Sequence, residues 1–282
     1  MAGKQVTELD ALPSFTDNSL LPVHNGAGLK KGLLSQLVNY LGNKFSNPNL
    51  LINPNFIINQ RGKAEYTSNG YTVDRWSTYN VTVNRIQNGG VNLTFKSKGS
   101  FTQALEKNVE NVTLSIKVTQ ITGTVKLVCA SKDIDINKPG VYSLSNNVDT
   151  SISQISLYNK TETSASMTVE WIKLEQGSIA TTFIAPNVAN ELTKCKRYYN
   201  HIYFFHVFYS ATSNFDYSFS HVIQSMRIKP TVKLAQSSSS GLSKYSASVN
   251  TGSGLTVITT ATTNKVGNCN TGGIVELDAE IY

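Results

Sequence analysis

Between Val112 and Val118 the chain alternates without a break: Val112, Leu114, Ile116 and Val118 are apolar, and Thr113, Ser115 and Lys117 between them are polar. A period of two sends the two sets to opposite faces of an extended strand, so the segment predicts a strand with one dry face and one wet one. The dry face needs a second layer over it, which commits this part of the chain to a layered β fold. The same pattern surrounds it. Val81 and Val83 alternate, Asn88-Gly89-Gly90 supplies a turn, and Val91, Leu93 and Phe95 resume. Thr122-Gly123 turns the chain into Val125, Leu127 and Cys129, and Pro139-Gly140 precedes Val141 to Leu144. Ile155 and Leu157, then Met167, Val169 and Trp171, complete the set. Short strands at this spacing across residues 49–186 predict a sandwich or jelly roll. At its start, Leu50 to Ile52 and Phe56 to Ile58 read as two short strands kinked at Pro54, which cannot donate a ladder hydrogen bond.

The flanks read differently. In residues 1–48, Leu20 to Val23 and Leu29 to Lys31 flank Asn25-Gly26 as a short hairpin. Leu33, Leu34, Leu37 and Leu41 then fall at helical spacing, an apolar stripe on a short helix. A module this small buries too little surface to fold alone and has no cysteine staple, so the stripe predicts a protein partner. In residues 187–200, Val188, Leu192, Cys195 and Tyr199 predict a connector helix. Residues 201–282 predict a smaller antiparallel β domain. There Phe215, Tyr217 and Phe219 alternate, and Gln236 to Ser240 reads as a Ser-rich loop. At the end Val275, Leu277, Ala279 and Ile281 point one way, and Glu276, Asp278, Glu280 and Tyr282 the other.

Charged residues make up only 15% of the 282, so the polar surface is built from Ser, Thr and Asn. The net charge of +7 is spread along the chain, and Lys30-Lys31 and Lys194 to Arg197 are its only tight basic groups. Without a basic stripe and interleaved aromatics, the charge implies attraction to anionic surfaces and no nucleic-acid partner. Cys129, Cys195 and Cys269 lie far apart with no CxxC pair, which argues against a zinc site and against a disulfide framework. Cys129, in phase with Val125 and Leu127, predicts a small buried residue. Met1 to Gln5 lacks the apolar core of a signal peptide and no apolar run is long enough to span a bilayer, so the expectation is cytosolic synthesis without membrane insertion.

Several blocks carry more than a strand pattern. Asn49 to Gly62 reads NLLINPNFIINQRG, and YTVDRW follows at Tyr71 to Trp76. Far downstream stand WIKLEQGS at Trp171 to Ser178, then Thr181-Thr182-Phe183, then CKRYY at Cys195 to Tyr199. In this order they resemble segments that recur in bacteriophage tail-fibre and receptor-binding proteins with a carbohydrate-binding-module-like β-sandwich. Asp17 to Leu41 resembles the leading attachment segments of such fibres, and Met226 to Val232 a phrase near their ends. The resemblance implies a central jelly roll, a homotrimer, and residence in the virion after synthesis in the host cytoplasm. It also implies attachment to another virion protein of tail, neck or capsid through residues 1–48, with Leu33, Leu34, Leu37 and Leu41, and adhesion to a host surface glycan. A head or neck fibre, or a decoration protein without a primary receptor role, is the alternative in the same setting. A polysaccharide depolymerase fits less well, since the long repetitive β-helix such tailspikes carry is absent.

Catalysis needs converging groups, and few are offered. The histidines are His24, His201, His206 and His221, and no HExxH, GxSxG or phosphate-binding glycine loop is present. Asp133 and Asp135 share a face but read as an exposed strand end. No catalytic residue, metal ligand or cofactor is assigned. The densest aromatic run, Tyr198 to Tyr209, is the best functional candidate. Sugars present apolar C–H faces beside hydroxyls, so a site for them needs flat rings and polar tips, which Tyr203, His206, Tyr209 and Tyr217 possess. Two roles are open to these four: packing in a core or subunit interface, or contact with a glycan. Trp76 and Trp171 read as core of the central sandwich.

Overall fold

The computed structural model describes residues 19–24, 29–42, 45–146, 151–250 and 256–282. β1 (Leu20–His24) pairs antiparallel with β2 (Leu29–Leu33), and α1 (Leu34–Gly42) follows directly. The expected turn at Asn25-Gly26 lies outside the described residues. Leu33 closes β2 instead of opening the helix, so the leucine stripe loses its first member. Leu37 and Leu41 stay exposed on α1, at 42% and 41%.

A ten-stranded antiparallel sheet follows. Its strands are β3 (Glu65–Tyr66), β4 (Gly70–Tyr71), β5 (Ser77–Arg85), β6 (Val91–Val109), β7 (Val112–Thr122), β8 (Val125–Cys129), β9 (Lys132–Ile136), β10 (Gly140–Asn146), β11 (Ile152–Tyr158) and β12 (Ala165–Gln176). The main path runs β10-β7-β12-β6-β11-β8-β9, with β5 on β6 and the short β3 and β4 on β5. β6 folds the sheet over: Val91 to Phe95 pair with β12, whereas Ser100 to Ala104 pair with β11. The corner falls at Lys98-Gly99. Lys98 has a φ of 54°, and a Cβ on Gly99 would lie 2.6 Å from the carbonyl oxygen of Asn80 on β5, so glycine alone keeps the two strands paired through the bend. The result is a β-sandwich, in line with the alternation. Val112, Leu114, Ile116, Val118, Val125, Leu127 and Cys129 are all buried. Trp76 and Phe101 stack at 4.9 Å at the centre, and the Phe56 ring lies 5.1 Å from Trp76.

Two details depart from the sequence reading. Leu50 to Ile58 forms no strand: Asn53 and Phe56 take left-handed φ values of 56° and 60°, and the segment closes into a loop around the buried Asn53 side chain. That amide donates to the carbonyl of Ile58 at 2.8 Å and accepts from its N–H at 2.9 Å. Farther on, β12 shifts register between Val169 and Trp171, so Ile172 and Leu174 take the inward positions. Trp171 therefore turns outward and is half-buried, stacked on Phe183 at 4.6 Å, not packed in the core. Beside it Lys173 and Glu175, 3.1 Å apart, are sealed under the following segment, with Lys173 Nζ donating to Thr181 Oγ1 at 2.6 Å and to the Thr182 carbonyl at 3.0 Å.

α2 (Val188–Lys196) is capped by Asn187, whose side chain accepts from the N–H groups of Ala189 and Asn190. Its buried residues are Glu191 and Cys195; Val188 is exposed and Tyr199 belongs to the next strand, so the apolar face expected of the connector is only partly used. Then come β13 (Tyr199–Ser210), β14 (Asp216–Val222), β15 (Thr231–Ser240), β16 (Leu242–Asn250), β17 (Thr256–Thr263) and β18 (Gly267–Asp278). They form two three-stranded antiparallel sheets, β13-β18-β15 and β14-β17-β16, facing each other through Phe204, Val275 and Leu277 on one side and Val257 and Tyr245 on the other. Gln236 to Ser240, expected as a loop, extends β15.

The stretch from Asn49 to Trp76 forms the joint between the two β units. Arg75, 1% exposed with a φ of 72°, directs one amino group to the Glu280 carboxylate and the other to the Ala104 carbonyl at 2.7 Å, with its guanidinium 3.7 Å from the centre of the Tyr198 ring. Arg61 approaches the same carboxylate at 3.5 Å and lies over Tyr199 at 3.9 Å. The Gln60 amide donates to the Tyr199 carbonyl at 2.7 Å, and the Tyr71 hydroxyl to that of Ile281. From the other side, Asn53 N–H donates to Glu191 at 2.6 Å. Burial pushes the Glu280 carboxyl above its ordinary value, and the two guanidiniums pull it back. A pair this deep fixes the relative position of the units more than it adds net stability.

Candidate functional site

β13 sits at the edge of its sheet, and its twelve residues alternate between two environments. Phe204, His206 and Phe208 face the opposite sheet. Tyr203, Phe205, Val207 and Tyr209 face outward, with 70%, 66%, 68% and 65% of their surface exposed. The strand register places Ile274, Gly272, Asn270 and Asn268 of β18 beside these four in turn, and Ser238 and Ser240 of β15 beyond Gly272 and Asn270. Gly272 matters here: a Cβ at that position would lie 2.7 Å from Phe205, so the Phe205 ring rests on the bare backbone of β18. Successive outward residues are about 7 Å apart, so the row measures about 20 Å from Tyr203 to Tyr209. It is a flat apolar track beside short amide and hydroxyl side chains.

The four glycan candidates therefore do not converge. Tyr203 and Tyr209 stand on the outer face. His206 and Tyr217 lie between the sheets: the His206 ring stacks on Phe219 at 3.8 Å, and Tyr217 packs against Phe208 at 4.7 Å. His206 and His221 sit 5.2 Å apart with Thr259 Oγ1 3.5 Å from each, and burial depresses both imidazole pKa values. Those two of the four are packing residues. Chemistry alone singled them out; strand parity, visible along 203 to 209, groups Tyr203 and Tyr209 with Phe205 and Val207, and the position of the second sheet decides that this set faces outward.

Asp133 and Asp135 both pair with Lys126, at 2.5 and 3.0 Å, on the outer strands β8 and β9, an exposed ion cluster. Among the described residues no three His, Cys, Asp or Glu side chains are placed to hold a metal ion. No described helix is long and apolar enough to cross a membrane.

No protein-family model and no curated protein matches the chain. Among solved structures it is similar to variants of a family 29 carbohydrate-binding module. One, at 12% identity and a TM-score of 0.34, covers 43% of this chain and 94% of that one. Another, solved with mannohexaose, has 12% identity, a TM-score of 0.30 and coverages of 43% and 93%. The C-terminal family 6 module of a marine laminarinase from Zobellia galactanivorans has 14% identity, a TM-score of 0.28 and coverages of 42% and 97%. At these values no ligand or residue role is carried over from them.

Proposed function

We propose that the chain is a non-enzymatic fibre protein of a bacteriophage particle, attached through residues 1–48 and adhering to host surface glycans through the outer face of β13. The observation that carries the adhesive role is the row of Tyr203, Phe205, Val207 and Tyr209, at least 65% exposed, beside Asn268 and Asn270. Rings of this kind, left open to solvent beside neutral polar side chains, suit the apolar faces and hydroxyls of a sugar chain. The virion setting rests on the resemblance of Asn49 to Trp76 and Trp171 to Tyr199 to phage fibres. A shallow sugar face with a Kd near 1 mM is worth about 4 kcal/mol. Repetition in a trimer raises apparent affinity by about 10² to 10⁴ without a new contact.

Incubation of the purified chain with host cell-wall and capsular polysaccharides tests this. Retention without cleavage, lost in Tyr209→Ala, is the expected result; release of oligosaccharides overturns the non-enzymatic reading. A second reading is favoured by the position of β13 at a sheet edge, where a row of apolar side chains suits a neighbouring copy. Light scattering separates the two. If Tyr209→Glu converts an oligomer to a monomer of 30.8 kDa, the row lies between copies. If the mass is unchanged and polysaccharide retention is lost, the row is the glycan face.

A further inference from the structure

The outer face of β13 does not end at Tyr203. Continuing toward the start of the strand, the register adds a rung of His201, Glu276 and Lys233, then one of Tyr199, Asp278 and Thr231. There the loop carrying Thr67, Ser68 and Asn69 rises from the central sandwich and closes a cleft of about 530 Å³ over the last rung. The aromatic row thus runs into a walled end, beside the joint where Arg61 and Arg75 meet Glu280.

The lining of this end differs from the row. Three cations, Arg61, Lys63 and Lys233, face three carboxylates, Glu65, Glu276 and Asp278, so the cleft has no net charge. A phosphate or an acidic sugar would meet the carboxylates, and an amine would meet the cations. A neutral, hydroxyl-rich group can accept from one set and donate to the other. The pairs already present are long: Lys233 stands 3.5 Å from Glu276 and Arg61 3.8 Å from Asp278, and the Lys233 pair, at the exposed rim, costs little to re-partner. Arg61 Nη1 is buried with no hydrogen bond, its ion pair being Asp74 at 3.7 Å. Tyr199, whose ring carries a single hydroxyl, is 6% exposed and lines the cleft. Burial raises that hydroxyl to a pKa of about 12, so it stays a donor throughout the physiological range.

We propose that this cleft binds the neutral terminal unit of a saccharide chain whose following units lie on the row from Tyr203 to Tyr209. The inference rests on the glycan-binding reading of that row and adds polarity to it: the chain end is read at Tyr199, and the polymer extends toward Tyr209. From Tyr199 to Tyr209 the track is about 33 Å long.

The test uses the full chain with neutral methyl glycosides of glucose, galactose, mannose and N-acetylglucosamine, glucuronic acid and glucosamine as charged controls, and the polysaccharides above. Saturation-transfer NMR and titration are the readouts. Expected is binding of at least one neutral glycoside in preference to both controls, weakened about tenfold by Tyr199→Phe, which removes one hydroxyl and keeps the ring on Arg61. Lys233→Ala, at the exposed rim, should weaken it as well. Preference for a charged control overturns the proposal. So does glycoside binding that survives both variants but is lost in Tyr209→Ala, which would assign it to the row. Polysaccharide retention with no glycoside bound and no effect of either cleft variant overturns the cleft alone; absence of all saccharide binding overturns the cleft and the glycan reading together.

Discussion

The central sandwich keeps its large aromatic residues inside, whereas the C-terminal pair of sheets carries them on both faces. In the centre Phe56, Trp76, Phe95 and Phe101 are fully buried and fill the gap between layers. In the C-terminal unit Tyr203, Phe205 and Tyr209 stand outside, while its buried positions include Thr259, Thr263, Thr271 and Cys269. Phe204, Val257, Val275 and Leu277 are the buried residues of its apolar cluster. Both units are antiparallel. The difference shows that the same side chain holds one fold together and is available for contact in the other, and that burial, not residue identity, separates the two uses.

The largest expected effect tests the dry side of this contrast. Trp76→Ala should cost about 3–5 kcal/mol in urea unfolding, since it empties the centre of a packed core. A cost below about 1 kcal/mol would remove the contrast. Next is the joint. Arg75→Met leaves the Glu280 carboxylate buried without its nearest cation and should cost about 3–5 kcal/mol, much of it recovered in the double variant with Glu280→Met. Two separate thermal transitions in Arg75→Met, against one in the parent, would show that this joint makes the units unfold together.

A smaller effect concerns the layer between the C-terminal sheets. Burial holds the folded pKa values of His206 and His221 below their ordinary value of 6.5, so near and below that pH the unfolded chain takes up protons the folded chain refuses. Stability of this unit should fall as the pH drops through about 6.5 and level off below the folded values. His206→Phe, which keeps the stack on Phe219, should flatten the dependence of Tm on pH; an unchanged profile would exclude His206 as its source. Smallest is Tyr209→Ala, expected within about 0.5 kcal/mol of the parent because the ring packs against little. A loss as large as that of Trp76→Ala would mean the row is covered in solution.

Much of the architecture was legible. Alternation at Val112 to Val118 and Val125 to Cys129 marked strands whose apolar residues are buried as the period indicated, but the face expected to be wet is covered as well: Thr113 and Ser115 are buried and share hydrogen bonds with Ser145 and Ser143 of β10. The second half of β6 was not legible, because Lys96 to Ser100 breaks the alternation where the strand turns its corner. Nor was the register shift before Trp171, since one extra residue reverses every later side chain. At the candidate site, parity from Tyr203 to Tyr209 was visible, but which parity faced solvent depended on where the second sheet lay. The strand-like pattern after Leu277 suggested a polar outward Glu280, yet the strand ends at Asp278 and Glu280 turns into the joint.

The sequence by itself determined the layered β class and most of the strands, because period and turn chemistry act over a few residues; the stretch from Asn49 to Trp76 stood apart by its resemblance alone. Only the tertiary structure decided what that stretch does. Arg61 and Arg75 meet a carboxylate about two hundred residues away, and Tyr199 comes to line one cleft with Asn69 only after both units are folded and docked. Pairings of that range leave no local period in the chain, since they are set by the packing of whole sheets.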